Sequence, residues 1–193
     1  MPTTAFATIN ARIQPMDRGE RYEDPLIDAL ENSNIADVVG GGSMLLAGGN
    51  EIGYCCIDLD IHELEHGVPL ICSILEAAGA PLGSYLSYDH ADSSHRIPFG
   101  KNYGIGIYLN GTDLPDSVYA DCDVNYLVSE INRLLRDIGS CQSNWQGPTE
   151  TALYVYGSSR DSMRELLRDL IENYPLCERA RVVDLPDAIL EGG

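Results

Sequence analysis

The stretch "YCCIDLDIHELEHGVPLICSILEAAG", residues 54–79, combines the two periodicities that decide the fold. In its first part, apolar and polar residues alternate. One face carries Cys55, Ile57, Leu59 and Ile61, and the other carries Cys56, Asp58, Asp60 and His62. This alternation predicts a strand with one buried face. From Val68 the apolar residues recur at helical spacing, and Gly79 stands where helices commonly end, so a helix should follow the strand.

The flanking segments extend this strand and helix into a complete unit. Residues 5–14 alternate like a strand, and Asp24 with Pro25 marks a helix start after the polar loop predicted for "DRGERYED". Gly-Gly-Asn between two apolar runs predicts a hairpin, and "SYLSYD" a further strand. The resulting order, β-α-β-β-α-β, is that of the ferredoxin-like fold.

The second half of the chain repeats the order of elements. Asp123 precedes an amphipathic helix as Asp24 does, at an offset of 123 − 24 = 99 residues. We therefore predict an α+β protein made of two tandem ferredoxin-like units with antiparallel sheets. The expected boundaries are a first unit at 1–89, a linker or hairpin at 90–102, a second unit at 103–186 and a loose tail at 187–193.

Charge and composition limit the function. The 193 residues include 12 Lys plus Arg against 30 Asp plus Glu, a net charge of −18, which disfavours nucleic acid and anionic membranes and favours a basic protein partner. No apolar run reaches membrane-spanning length, and the N-terminus lacks the features of a secretory signal. The six cysteines form no C-x-x-C pair, which predicts reduced thiols in a cytoplasmic protein.

The letters "HELEH", residues 62–66, match the H-E-x-x-H motif of zinc metalloproteases. That motif requires both histidines on one continuous helix. Here a strand precedes it, and Pro69 suits a first helical turn, so we expect the helix to begin near Gly67 and the motif to be a connection. We therefore predict no catalytic residues, no metal and no cofactor. A looser metal site joining His62 and His66 to Asp60 or Cys56 remains the alternative.

The sheet face opposite the helices is the predicted partner-binding surface. Its candidate residues are Arg12, Asp58, Asp60, His62, Tyr108, Tyr154 and Tyr156. The competing interpretation is an ordinary wet sheet face on which Arg12 pairs with Asp58 or Asp60.

Five stretches carry a resemblance to a family of bacterial proteins of unknown activity. They are "RIQPMDRGERYEDPL", "EIGYC", "LEAAGAPLGS", "WQGPTETALY" and "YPLCERARVV". In size, charge and fold class the chain is also similar to immunity proteins, which neutralise toxins used between bacteria. That resemblance implies a non-enzymatic acidic protein that binds a basic toxin. The alternatives are a small enzyme or metal site at Asp58, Asp60 and His62, and a small-ligand protein with a cleft between the halves; the oligomeric state stays open.

Overall fold

The computed structural model describes residues 1–31, 33–47 and 49–189. They form an α+β structure with two antiparallel sheets, one of five strands and one of four. The chain divides into two compact units: unit 1 contains Met1–Asn102 and the chain from Asp187, and unit 2 contains Tyr103–Pro186. The predicted tail at 187–193 lies outside the described residues from residue 190 onward. Within the described chain, no helix has the length and apolar character needed to cross a membrane.

The described residues of unit 1 form five strands and three α-helices. They are β1 Thr3–Ile9, α1 Pro15–Arg18, α2 Asp24–Leu30, β2 Ala36–Leu45, β3 Ile52–Ile61, α3 Leu64–Ala77, β4 Ser84–His90 and β5 Ser93–Phe99. The sheet order is β2-β3-β1-β4-β5. The β4–β5 hairpin turns at Ala91 and Asp92, whose φ values of 52° and 60° match the tight turns that suit twisted hairpins. Residues 90–102, predicted as a linker or hairpin, thus contain β5.

Unit 2 has four strands and three helices. They are β6 Tyr103–Asn110, α4 Asp116–Asp121, α5 Val124–Leu135, β7 Gly139–Gln146, β8 Glu150–Gly157, α6 Arg160–Asn173 and β9 Arg181–Asp184. The sheet order is β7-β8-β6-β9. One buried cluster joins β6 and β8 to both long helices through Ile107, Val155, Ile131 and Leu167, so α5 and α6 cover the same sheet face.

The first helical segment begins earlier than predicted. "DRGERYED" is not a loop, because the chain is helical from Pro15, with a π-helical turn at Gly19–Glu23 between α1 and α2. The N–H of Asp24 donates to the carbonyl of Gly19, five residues back. This wider turn directly precedes Pro25, which has no N–H to donate and whose ring crowds a regular α-turn.

Helix α3 also begins earlier than predicted, at Leu64 instead of near Gly67. The N–H of Gly67 already donates to the carbonyl of Glu63 at 2.7 Å. Pro69 is therefore inside the helix, where it removes only the hydrogen bond to the carbonyl of Glu65, an exposed residue that water can reach. His66 is consequently helical, whereas His62 lies before the helix.

The predicted alternation is confirmed for β3, whereas the strand predicted over residues 5–14 is Thr3–Ile9 and ends before residues 10–14. On β3, Cys55, Ile57, Leu59 and Ile61 are buried. Ala5, Ala7 and Ile9 of β1 share that inner face, and α3 contributes Ile71 and Leu75 to the buried interior of unit 1. The opposite face of β1 and β3 therefore carries their polar side chains and Phe6.

Candidate functional site

The candidate site is the outer face of the unit 1 sheet around Asp37, Asp58, Asp60 and His62, here called the acidic face. The antiparallel register sets Asp37 of β2 opposite Asp60 of β3, and Phe6 of β1 opposite Asp58. Directly opposed residues point to the same side of a sheet. Three carboxylates from two strands therefore share one surface next to an aromatic ring.

Local contacts orient these carboxylates without neutralising most of their charge. The Thr4 hydroxyl donates to Oδ1 of Asp60 at 3.1 Å, and Nε2 of His62 lies 2.9 Å from Oδ2 of Asp37. Gly40 leaves room for Asp58, since a Cβ at that position would stand 3.2 Å from Oδ2 of the carboxylate. In the part of the chain that the structure describes, no Arg or Lys pairs with Asp58 or Asp60.

Apolar side chains are exposed beside the acidic charge. Phe6 is 45% exposed, and Val39 and Met44 of β2 are 56% and 54% exposed. An exposed aromatic ring next to carboxylates is a composition that protein-binding surfaces show.

Arg12 was predicted to be a partner-binding residue, and the competing interpretation paired it with Asp58 or Asp60; the structure shows neither pairing. Its guanidinium instead pairs with Glu51, the residue before β3, and both side chains are largely buried. Arg12 lies beyond the end of β1, so the strand register does not bring it opposite the two aspartates. Arg12 thus supports the structure of unit 1 and leaves the negative charge of the acidic face intact.

The three tyrosines predicted for the same surface lie on the unit 2 sheet. Tyr154 and Tyr156 are each 1% exposed, and Tyr108 is also buried. Arg181 covers the Tyr108 ring at 4.8 Å and forms an ion pair with Glu150 at 2.8 Å. These tyrosines expose almost no side chain for a partner to contact, so the site is confined to residues of unit 1.

Metal and thiol chemistry find little support at this face. His62 and His66 contact different carboxylates, Asp37 and Glu63. Among the described residues, no three His, Cys, Asp or Glu side chains are grouped so that they could hold a metal ion. Burial, followed by the nearby charge of Asp58, raises the pKa of the Cys56 thiol, which disfavours the thiolate needed for nucleophilic attack.

A groove of about 590 Å³ lies beside β2, between this strand and the end of α2. Its lining combines Ile27, Leu30 and Val38 with the carboxylates of Asp28, Glu31 and Asp37. Asp37 belongs to both the groove and the acidic face, so the two form a continuous acidic region. Asp28, Glu31 and Asp37 were not among the predicted site residues. The available sequence signal was the complete absence of Lys and Arg between Arg21 and Arg96.

Unit 2 has a separate cleft of about 620 Å³ near the start of α5. Polar side chains including Asn110, Asn125, Asn144 and Gln146 line it, together with Val128 and Leu153. A volume of this size is in the range of small-molecule sites. Sequence reasoning missed the cleft because its lining is scattered along the chain.

No protein-family model and no curated protein matches this sequence. Solved structures with some similarity include an unknown protein from Galdieria sulphuraria, 12% identical with a TM-score of 0.30, which covers 96% of this chain and 98% of its own. The first two RRM domains of a yeast poly(U) binding protein are 13% identical with a TM-score of 0.25, covering 94% of this chain and 99% of their own. An anthrone oxidase-like protein is 10% identical with a TM-score of 0.21, covering 88% and 78%. Similarities this low carry no argument about function.

Proposed function

We propose that this chain is a non-enzymatic acidic binding protein of the immunity type, which neutralises a bacterial toxin by covering a basic surface on it. The observation that carries the proposal is the acidic face, where Asp58 and Asp60 have no basic partner among the described residues and lie beside the exposed ring of Phe6. The chain as a whole is also acidic, with a net charge of −18.

Complementary charge and shape would account for inhibition. An acidic surface accelerates encounter with a basic partner, and a like-charged partner is rejected. The ring of Phe6, on β1 next to Asp58, supplies apolar contact at the border of the carboxylates. Inhibition of this kind requires occlusion of the toxin's site and no chemical step by the inhibitor.

The fold assigned to the chain in this proposal is a tandem pair of ferredoxin-like units. Two strand orders support it: β2-β3-β1-β4 in unit 1 and β7-β8-β6-β9 in unit 2 correspond strand for strand. Unit 1 carries β5 as an added edge strand. We also propose a cytoplasmic location, which is consistent with six cysteines that form no disulfide.

The experiment is affinity capture from the native host, followed by binding measurements on the captured partner. Asp58→Lys with Asp60→Lys should weaken binding strongly, and Asp58→Asn with Asp60→Asn should weaken it less. Asp169→Asn with Glu172→Gln, on the exposed side of α6, changes the charge as much as the Asn pair does and should leave binding nearly unchanged. If both variants at the acidic face bind as wild type does, that surface is not the contact.

A second candidate function is favoured by the unit 2 cleft, whose amide side chains could bind a small polar ligand. Native mass spectrometry of the chain purified from its host would reveal a retained small molecule, and Val128→Trp should displace it by filling the cleft. Turnover of a small substrate that Asp58→Asn or His62→Gln abolishes would instead support the enzyme alternative.

A further inference from the structure

Strand β2 is an unpaired edge of the unit 1 sheet. It hydrogen-bonds to β3 on one side, and no other described strand pairs with its second side. An edge strand presents unpaired N–H and C=O groups to any chain that approaches, and natural proteins usually protect such edges with Lys, Pro or bulges. The β2 sequence "ADVVGGGSML" contains neither Lys nor Pro, and Gly41 and Gly42 are exposed.

The opposite edge of the same sheet is protected. Strand β5 carries Arg96 and Pro98, and Pro98 removes one backbone donor. The two register irregularities of β2, between Val38 and Gly40 and between Met44 and Leu45, leave the segment Gly40–Met44 in regular pairing with β3. Within that segment Gly41, Gly42 and Met44 are exposed.

The groove described above borders the start of β2, at Ala36, Asp37 and Val38, and supplies side-chain selectivity there. Its apolar lining of Ile27, Leu30 and Val38 can accept an aliphatic side chain. Asp28, Glu31 and Asp37 surround that lining, and none of the three pairs with an Arg or Lys of the described chain. Carboxylates in this arrangement attract lysine or arginine side chains on the same extended segment.

We propose that the β2 edge binds an extended basic segment of the partner protein by strand addition. Backbone hydrogen bonds to β2 provide affinity, and side chains at the end of the added strand beside Ala36–Val38 enter the acidic groove, the division of roles seen in β-augmentation. This inference deepens the proposed function and rests on it. A second copy of this chain is a poorer occupant, because each copy carries a net charge of −18 and the two would repel one another.

The probe is a peptide of alternating lysine and valine of about eight residues, which at about 3.3 Å per residue spans most of the ten-residue β2. Two control peptides accompany it: one with glutamate in place of lysine, and one with the same side chains and methylated backbone nitrogens. Affinity is measured by titration at low salt. Amide hydrogen exchange of Val39–Ser43 is followed by NMR in the full chain.

We expect the lysine peptide to bind and to slow exchange of the β2 amides, and both control peptides to lose binding. Asp28→Asn, Glu31→Gln and Asp37→Asn together should weaken the lysine peptide about tenfold, in line with a few tenths to one kcal/mol for each exposed charge pair. The matched variant Glu165→Gln, Asp169→Asn and Glu172→Gln, on exposed positions of α6, should change affinity less than about twofold.

Equal binding of the methylated peptide, or binding without slowed exchange in β2, would overturn strand addition. Concentration-dependent protection of β2 without peptide would identify a second copy as the occupant and also overturn the proposal. Binding of the variants to the captured partner distinguishes failure of this inference from failure of the proposed function. For this comparison the groove variant is Asp28→Asn with Glu31→Gln, which leaves the acidic face intact. If it binds the partner normally while Asp58→Lys with Asp60→Lys does not, strand addition fails and the proposed function stands; the reverse pattern moves the contact from the acidic face to the β2 edge.

Discussion

Nε2 of His62 lies 2.9 Å from Oδ2 of Asp37, a contact that joins the end of β3 to the outer strand β2. The backbone N–H of His62 also donates to the carbonyl of Ile35, directly before β2, at 2.8 Å. One residue of the "HELEH" motif therefore fixes the start of the edge strand, and its imidazole is directed toward a carboxylate of the acidic face.

This contact should contribute little to stability. The side chains of His62 and Asp37 are 32% and 69% exposed, and exposed pairs typically contribute about 0.2–1 kcal/mol. We expect His62→Gln and Asp37→Asn, alone and combined, to give a coupling energy within that range in a double-mutant cycle measured by urea unfolding. A coupling of several kcal/mol would show that the pair is a structural element of unit 1.

Two glycines provide a matched test of packing. A Cβ on Gly104 would stand 2.8 Å from the Tyr156 ring and 3.0 Å from Cβ of Leu185, whereas a Cβ on Gly42 would meet nothing within 4 Å. Gly104→Ala should therefore reduce the free energy of unfolding by about 1–3 kcal/mol through overpacking. Gly42→Ala should change it by less than about 0.5 kcal/mol. Equal effects would contradict the close packing of Tyr156 on β6.

The start of α6 gives another matched pair. Ser159 is the N-cap, and its hydroxyl accepts from the N–H of Ser162 at 3.3 Å, although Ser158, three residues before Asp161, also stands at the spacing of a capping box. Ser159→Ala should reduce the free energy of unfolding by about 1 kcal/mol. Ser158→Ala, at an exposed position before the cap, should have almost no effect, and thermal unfolding of both variants would distinguish the two assignments.

The helix starts show what sequence alone could predict. Asp123 was correctly placed before α5, because its side chain accepts from the N–H of Asn125 at 2.8 Å and capping is a local interaction. Pro25 does stand in the first turn of α2, but the segment before it is helical and not the predicted loop, and Pro69 misled the prediction because proline is common in a first turn. A helix can nevertheless contain proline where a π-turn gives room or where an exposed carbonyl remains hydrated.

The candidate site was predictable only in part, for a similar reason. Alternation along β3 correctly placed Asp58 and Asp60 on the outer face of the sheet. The neighbour of Asp60 on β2, Asp37, depends on a strand register with a bulge between Val38 and Gly40, which periodicity does not reveal. The burial of Tyr154 is likewise a tertiary property, since alternation specifies a sheet face and not whether that face is covered.

Stability should decline in alkaline solution. Burial, followed by the charge of Glu76, raises the pKa of Cys72 from 9.0 to about 11, and burial also raises that of Cys177 to about 11. Because the folded pKa is the higher one, the stabilisation is complete below pH 9 and is lost as pH rises toward 11. Cys72→Ala should reduce the slope of unfolding free energy over this interval. The slope is measured by urea unfolding at a series of pH values. If Cys72→Ala leaves it unchanged, the raised pKa of Cys72 is not a source of the alkaline destabilisation.

Association with the proposed basic partner should depend strongly on salt. Attraction between exposed charges decays over about 8 Å at physiological ionic strength and about 3 Å at 1 M. The association rate of the wild-type chain should therefore fall at least about tenfold between these conditions, while the dissociation rate changes less. The variant with Asp58→Asn and Asp60→Asn should associate more slowly at low salt. Its association rate should also depend less steeply on salt, because two charges that attract the partner are removed.

The matched control for this measurement is Asp169→Asn with Glu172→Gln, which removes two charges from the exposed side of α6. If steering arises from total charge alone, both double variants should lose the same fraction of the association rate. If the acidic face is the contact, the Asp58 and Asp60 variant should lose much more, since its charges approach the partner within a screening length at the transition state for association. Surface plasmon resonance across the salt series separates these outcomes, and a salt-independent rate for the wild-type chain would exclude electrostatic steering altogether.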